Sequence, residues 1–333
     1  MTAVRERGGV APVGDFIARG AEGPVPRLYG EALVGAARRD PRIVCLCADL
    51  PGSTETDLFK QDLPDRFIEA GIAEANMIGM AAGMARSGEI PFVHSFCVFV
   101  TRRCYDQVAN QVAYPRLPVK IVGFLPGLTT MLGVSHQAID DVALMRALPN
   151  MTIIEPAGAD QLAAAVDAAL AIDGPVYLRM KRPDGPVPEL RPRPIQPGCE
   201  ILREGPDGVV FAAGLLVHEA LGAARELARD GIELTVANVA IIKPLDTRAI
   251  VELGRRSGVV ISAENHSVIG GLGSAVAETL LENGVAAAFA RVGIRDTFAE
   301  GGTTGYLQDK YGLTARDIIA AYRTAASSRA KRA

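Results

Sequence analysis

At 333 residues, with 49% hydrophobic side chains, 22% charged ones and a formal net charge of -3, the chain is long enough for about two domains, each with its own core. The slight negative charge argues against nucleic acid as a partner, which would call for a clustered basic surface. No apolar run reaches the roughly 18 residues of a membrane span, so a membrane is not expected as a partner either. Five cysteines without metal-ligand spacing suit a reducing cytoplasm better than a disulfide framework. Tryptophan is absent, so the core must rest on Ala, Val, Ile and Leu.

Residues 1–20 mix charge, Gly and Pro without an apolar centre and read as a loose tail rather than a signal peptide. From there, short apolar runs alternate with longer amphipathic or Ala-rich segments. Runs 43–47, 119–124 and 151–154 predict strands buried on both faces; Cys45 and Cys47 serve in the first as small hydrophobes. Segments 29–38, 74–85, 141–148 and 159–171 predict helices. Such alternation implies a parallel sheet covered by helices. Two Pro-rich stretches, 182–188 and 191–198, then interrupt the pattern and suit neither a helix interior nor a central strand. A second set follows: strands at 208–213, 234–239 and 259–263, helices at 220–229, 250–256 and 274–283. The expected organisation is α/β throughout: a first domain over 21–182, a linker over 183–199, a second domain over 200–325 and a basic tail over 326–333.

In open α/β sheets, ligands sit at the carboxyl ends of strands. Asp49 follows the first predicted strand, and Phe124 closes the 119–124 run. Glu74 begins an apolar helix; taken alone, a carboxylate there does no more than complement the helix dipole.

The segment Gly71-Ile72-Ala73-Glu74-Ala75-Asn76-Met77 resembles the pyrimidine-binding domain of transketolases and deoxyxylulose-phosphate synthases. Ala48-Asp49-Leu50 is similar to their upstream segment, and Pro91-Phe92-Val93-His94-Ser95-Phe96-Cys97-Val98-Phe99 to their aromatic cofactor-stacking segment. Ser135-His136-Gln137, the run from Ala143 to Met151 and the Glu264-Asn265-His266 signature follow in the family's order. The resemblance extends from about Arg27 to Tyr322. It implies two doubly wound α/β domains, pyrimidine-binding then C-terminal, and thiamine diphosphate as cofactor.

The resemblance also implies roles. Glu74 would bond the aminopyrimidine of the cofactor and favour its imino tautomer. Leu50 would support the bent cofactor, with Asp49 near its thiazolium edge, while Phe96 and Phe99 would flank the pyrimidine. His136 would contact the reacting oxygens, a task suited to imidazole. Arg27, Ser53 and Arg182 align with sugar-phosphate-binding residues, Arg179 competes with Arg182, and His94 is a candidate pocket residue. His218 reads as an ordinary helical residue and His266 as a packing residue.

Two departures qualify the resemblance. Nothing here matches the family's GDG segment and downstream asparagine, which hold the metal and the diphosphate. The missing half, magnesium ligands included, is expected on an N-terminal-type partner subunit in an α2β2 assembly. In addition, the run from Phe124 to His136 contains no carboxylate, whereas transketolases recognise a donor hydroxyl there with an aspartate. An unusual ketose or acyl donor is therefore expected. The leading reading is a split transketolase subunit transferring a two-carbon ketol unit between sugars or sugar phosphates. The alternatives are the β subunit of a 2-oxo acid dehydrogenase first component and a non-catalytic regulatory subunit.

Overall fold

The computed structural model describes residues 27–182 and 194–331. The expected N-terminal tail and most of the Pro-rich linker lie outside these residues. The strands, in chain order, are β1 Ile43–Cys47, β2 Phe67–Glu69, β3 Ile90–Phe96, β4 Lys120–Phe124, β5 Thr152–Ile154, β6 Val176–Met180, β7 Glu200–Arg203, β8 Gly208–Ala212, β9 Leu234–Asn238, β10 Ile241–Lys243, β11 Val259–Ser267 and β12 Ala288–Ile294. They form a seven-stranded sheet, β10-β5-β6-β4-β3-β1-β2, and a five-stranded sheet, β12-β11-β8-β9-β7. Within each sheet the pairings are parallel except at one edge, where β10 runs antiparallel to β5 and β7 antiparallel to β9.

The physical cause is visible in the composition. β1, β4, β6, β8 and β9 are buried at every position, as parallel strands sandwiched between helices must be. The helices Leu28–Arg39 and Ala159–Leu170 pack against each other in the first half. Their buried positions include Ala36, Ala37, Ala165 and Ala169, small side chains that allow close approach. In the second half, Thr247–Ser257 is capped by the Asp246 carboxylate and ends on Gly258 at φ 64°. Ala315–Ala330 opens with a Thr314/Asp317 capping box. The two-sheet α/β fold is thus the one expected. Strand β11 runs four residues beyond its expected end, so Glu264, Asn265 and His266 lie on a strand rather than after it.

The two halves are interlocked. β10, which follows the Pro-rich stretch in sequence, joins the first sheet. At the seam, Arg179 on β6 is completely buried. Its guanidinium bonds Asp141 at 2.8 Å, Glu155 at 2.6 Å and the Asn265 carbonyl at 2.9 Å. Burial opposes ionisation of Asp141, but the neighbouring Arg179 and His266 hold its pKa below the usual carboxylate value. A fully satisfied buried network of this kind fixes one arrangement of the halves more than it adds net stability.

Candidate functional site

β1 and β3 deliver the site at their carboxyl ends. After β1 the chain turns through Asp49, whose φ of 57° lies in the left-handed region. Glu69 at the end of β2 holds that turn: its Oε1 accepts from the Asp49 amide at 2.8 Å and from the Gly71 amide at 3.0 Å. The two loops are therefore stitched together, with exposed Asp49 and half-buried Leu50 at the rim.

Gly71, at φ 71°, turns the chain into the helix Glu74–Arg86. Glu74 is its first residue and is 1% exposed. Ser95 Oγ donates to its Oε1 at 3.2 Å, and Arg103 Nη1 to its Oε2 at 2.8 Å. Phe96 ends β3, and Phe99 follows one turn later on the short helix Cys97–Thr101, the ring centroids 6.0 Å apart. The His136 ring stands edge-on to Phe99 at 5.2 Å and 6.0 Å from Phe96. The structure thus gathers Glu74, Phe96, Phe99 and His136 into one cluster.

His136 sits on the loop between β4 and the helix Asp141–Ala147. Its Nδ1 is 2.9 Å from Ser135 Oγ. Partial burial, reinforced by the Arg103 charge, lowers its pKa below that of a free imidazole, so it is neutral and able to accept a proton at neutral pH. The loop is braced from the second half: the Leu128 amide donates to Asn265 Oδ1 at 3.1 Å, Asn265 Nδ2 to the Pro126 carbonyl at 3.1 Å, and Gln137 Nε2 to the Glu300 carbonyl at 2.9 Å.

A second cluster holds the remaining expected residues. Arg27 pairs with Asp57, Arg182 donates to the Gly52 carbonyl, and the next residue after Gly52, Ser53, is buried. Between the arginines lies Glu55, whose charge acts on both. Arg179 is not among them, because its bonds to Asp141 and Glu155 commit it to the seam. His94 is also placed differently from a pocket histidine. It has no exposed surface, its Nδ1 is 2.9 Å from the Leu46 carbonyl and its Nε2 is 2.7 Å from Tyr29 Oη.

Arg103, Ser95 and Glu55 were not singled out from the sequence. Arg103 carried one available signal, its i, i+4 spacing from Phe99. Its guanidinium lies 4.4 Å above the Phe99 ring centroid while bonding Glu74. It reveals what the niche accepts: a planar hydrogen-bond donor with one face on an aromatic ring and one edge on a buried carboxylate. An aminopyrimidine has the same two features, so the residues fit that group. Among the described residues, no group of three or more His, Cys, Asp or Glu is arranged to hold a metal, and no helix is long and apolar enough to cross a membrane.

Two mixed α/β sheets, the first with a buried glutamate and an aromatic pair gathered at one end, are the architecture of the transketolase pyrimidine-binding and C-terminal domains. Residues 25–188 match the transketolase pyrimidine-binding domain and residues 198–318 the transketolase C-terminal domain. The chain is 48% identical over 295 residues to a 6-deoxy-6-sulfo-D-fructose transketolase subunit of Clostridium sp. strain MSTE9, covering 88% of this chain and 91% of the relative. It is 38% identical to 1-deoxy-D-xylulose-5-phosphate synthase 1 of Geobacter sulfurreducens over 88% of this chain, which spans only 47% of that enzyme. A solved split gene transketolase, an inactive beta4 tetramer, superposes with a TM-score of 0.84 at 44% identity, covering 90% of this chain and 97% of that one. The chain belongs to the transketolase family and has the two-domain make-up of a split-transketolase subunit.

Proposed function

We propose that this chain is the catalytic, pyrimidine-side subunit of a transketolase that moves a two-carbon ketol unit between sugar substrates. The observation that carries this reading is the buried Glu74 carboxylate, held by Ser95 and Arg103 against the Phe96, Phe99 and His136 rings. When bound, thiamine diphosphate supplies the thiazolium carbon that carries the transferred unit. Glu74 holds a proton at the aminopyrimidine, Phe96 and Phe99 bracket its plane, and Leu50 supports the cofactor with Asp49 at its thiazolium edge. His136, kept neutral, accepts and returns protons at the substrate oxygens. Arg27, Ser53 and Arg182 receive the far end of the substrate.

The diphosphate and its magnesium are assigned to an N-terminal-type partner subunit in an α2β2 assembly. Supporting this, Ile72 is 73% exposed beside Glu74, and Met131, Leu132 and Val134 are 46–49% exposed just before His136. An apolar rim around a catalytic cluster is what a subunit interface covers. Five free cysteines, four of them buried, suit a cytoplasmic setting. The domain limits 21–182 and 200–325, with a linker between, remain our division of the chain. The identities of 48% and 44% to a transketolase subunit and to a split gene transketolase favour this reading over a 2-oxo acid dehydrogenase subunit.

The loop from Phe124 to His136 carries no carboxylate, and the residues leading into His136 include the apolar Met131, Leu132 and Val134, so the donor differs from a standard pentose phosphate. Assembly with the partner, thiamine diphosphate and magnesium, followed by a donor screen, tests both statements. Glu74→Gln should lower turnover on the order of 10²–10⁴-fold while the assembly persists. Wild-type turnover in that variant would sink the catalytic role of Glu74. Xylulose 5-phosphate as best donor would sink the unusual-donor reading.

A further inference from the structure

Arg27 and Arg182 are the cations placed at the far end of the substrate, yet neither is free of negative charge. Arg27 is ion-paired with Asp57 at the start of the helix Asp57–Asp62. Arg182 Nε lies 3.8 Å from Glu55 Oε1. That Nε is buried without a hydrogen-bond partner, so the guanidinium is not fully committed to Glu55 and keeps unused donor capacity.

The two carboxylates differ in mobility. Asp57 keeps 30% of its side chain exposed and can turn aside for a ligand. Glu55 is 1% exposed and sits at φ 61°, a conformation that a non-glycine residue holds only when its surroundings fix it. Its Oε2 accepts from the Gly30 amide at 3.0 Å, in the first turn of Leu28–Arg39. The N-cap residue of that helix, Arg27, makes no side-chain capping bond to its amides, so Glu55 serves as the cap. Gly30 allows the approach, since a Cβ there would stand 2.5 Å from the Glu55 carbonyl. Glu55 therefore stays in place when a ligand enters.

We propose that Glu55 determines specificity by restricting the substrate end received by Arg27 and Arg182 to a singly charged anion, sulfonate or carboxylate in type, and by excluding a phosphate dianion. Among the described residues, once Asp57 turns aside, two guanidinium charges face one fixed carboxylate, Glu55, while Glu31, which also acts on Arg27, is exposed and screened by solvent; the remaining charge of about one unit matches a monoanion. A dianion would bring a second negative charge beside a buried carboxylate that cannot retreat. The inference rests on the reading of this cluster as the substrate end of a transketolase site. Its test needs no turnover, so loss of ketol transfer would count against that reading and leave this one to be decided by binding.

The test is calorimetric titration of the full chain with methanesulfonate, acetate and inorganic phosphate at mildly alkaline pH, where phosphate is dianionic. The wild type should bind one of the monoanions about tenfold or more tightly than phosphate, and E55Q, whose amide oxygen still caps Gly30, should tighten phosphate by about tenfold. Phosphate bound by the wild type more tightly than both monoanions overturns the proposal. So does an unchanged ratio in E55Q, or no binding of any anion by either protein. Should E55Q fail to fold, D57N decides: it should tighten the monoanions and leave phosphate the weakest, and phosphate as its best ligand overturns the proposal.

Discussion

Acidification from pH 7 to pH 5 should cost the fold about 2 kcal/mol through His94 alone. The imidazole is enclosed by Tyr29 Oη, the Leu46 carbonyl and Cys45 Sγ. Burial outweighs its hydrogen bonds to the Leu46 and Phe92 backbone and lowers its pKa from 6.5 to about 4. The unfolded chain takes up a proton as the pH falls through 6.5, whereas the folded chain resists until about 4. The stability is therefore complete above the upper value and is lost progressively toward the lower one, about 3 kcal/mol over the whole window. Urea unfolding of wild type and His94→Gln at both pH values, at matched protein concentration, isolates this share, because every other titrating group is common to the two. The wild type should lose about 2 kcal/mol more than the variant. Equal losses, or a His94 ring titrating near 6.5 by NMR, would refute the closed, structural placement and return His94 to the substrate pocket.

Three further outcomes follow from the site and its seam. Arg103→Gln removes a charge that depresses the His136 pKa, so the acidic limb of the kcat profile should move upward in pH; an unmoved limb would show that the two do not communicate. Asp141→Ala strips Arg179 of two side-chain bonds and Tyr177 of one; denaturation should register a loss of about 3–5 kcal/mol, and a loss under about 1 kcal/mol would refute the seam's role. Gly127→Ala places a Cβ 2.2 Å from the Asn265 carbonyl at φ 55°, and should cost on the order of 2–4 kcal/mol together with kcat, read by unfolding and ketol transfer.

The sequence made the local features legible. The apolar run at Ile43–Cys47, the Gly71-to-Met77 segment that opens a helix on Glu74, and the Phe96/Phe99 spacing each depend on neighbours within a few residues; the strand and the Glu74 helix form as expected, and a short helix not expected there brings Phe99 toward Phe96. What escaped depends on the far chain. Arg179 and Arg182 are three residues apart, and only the packing of β6 against Asp141, Glu155 and Asn265 separates a seam residue from the one we propose at the substrate end. Three-residue β10 has no periodicity to read, and its partner β5 lies across the Pro-rich stretch. Arg102 and Arg103 are adjacent and alike on paper. The turn that follows Thr101 sends Arg102 to Asp140 and Arg103 to Glu74.

These long-range contacts give the second half a part in building the candidate site. Leu125 and Gly127 both stand at positive φ, 60° and 55°, a conformation that glycine adopts freely but that a leucine holds only when its surroundings fix it. Asn265 occupies the space a side chain on residue 127 would need and bonds the loop on both sides, at Pro126 and Leu128. Past His136, Gln137 is tied to the Glu300 carbonyl, and Gly301 packs so closely that a Cβ would come within 2.6 Å of the Met131 carbonyl. His136 therefore reaches Phe99 on a loop clamped before and after it by the second half, whereas Glu74 is positioned entirely by the first. The candidate cluster is a product of both halves, and the buried Arg179 network that joins them holds the spacing between the Glu74 carboxylate and the His136 imidazole.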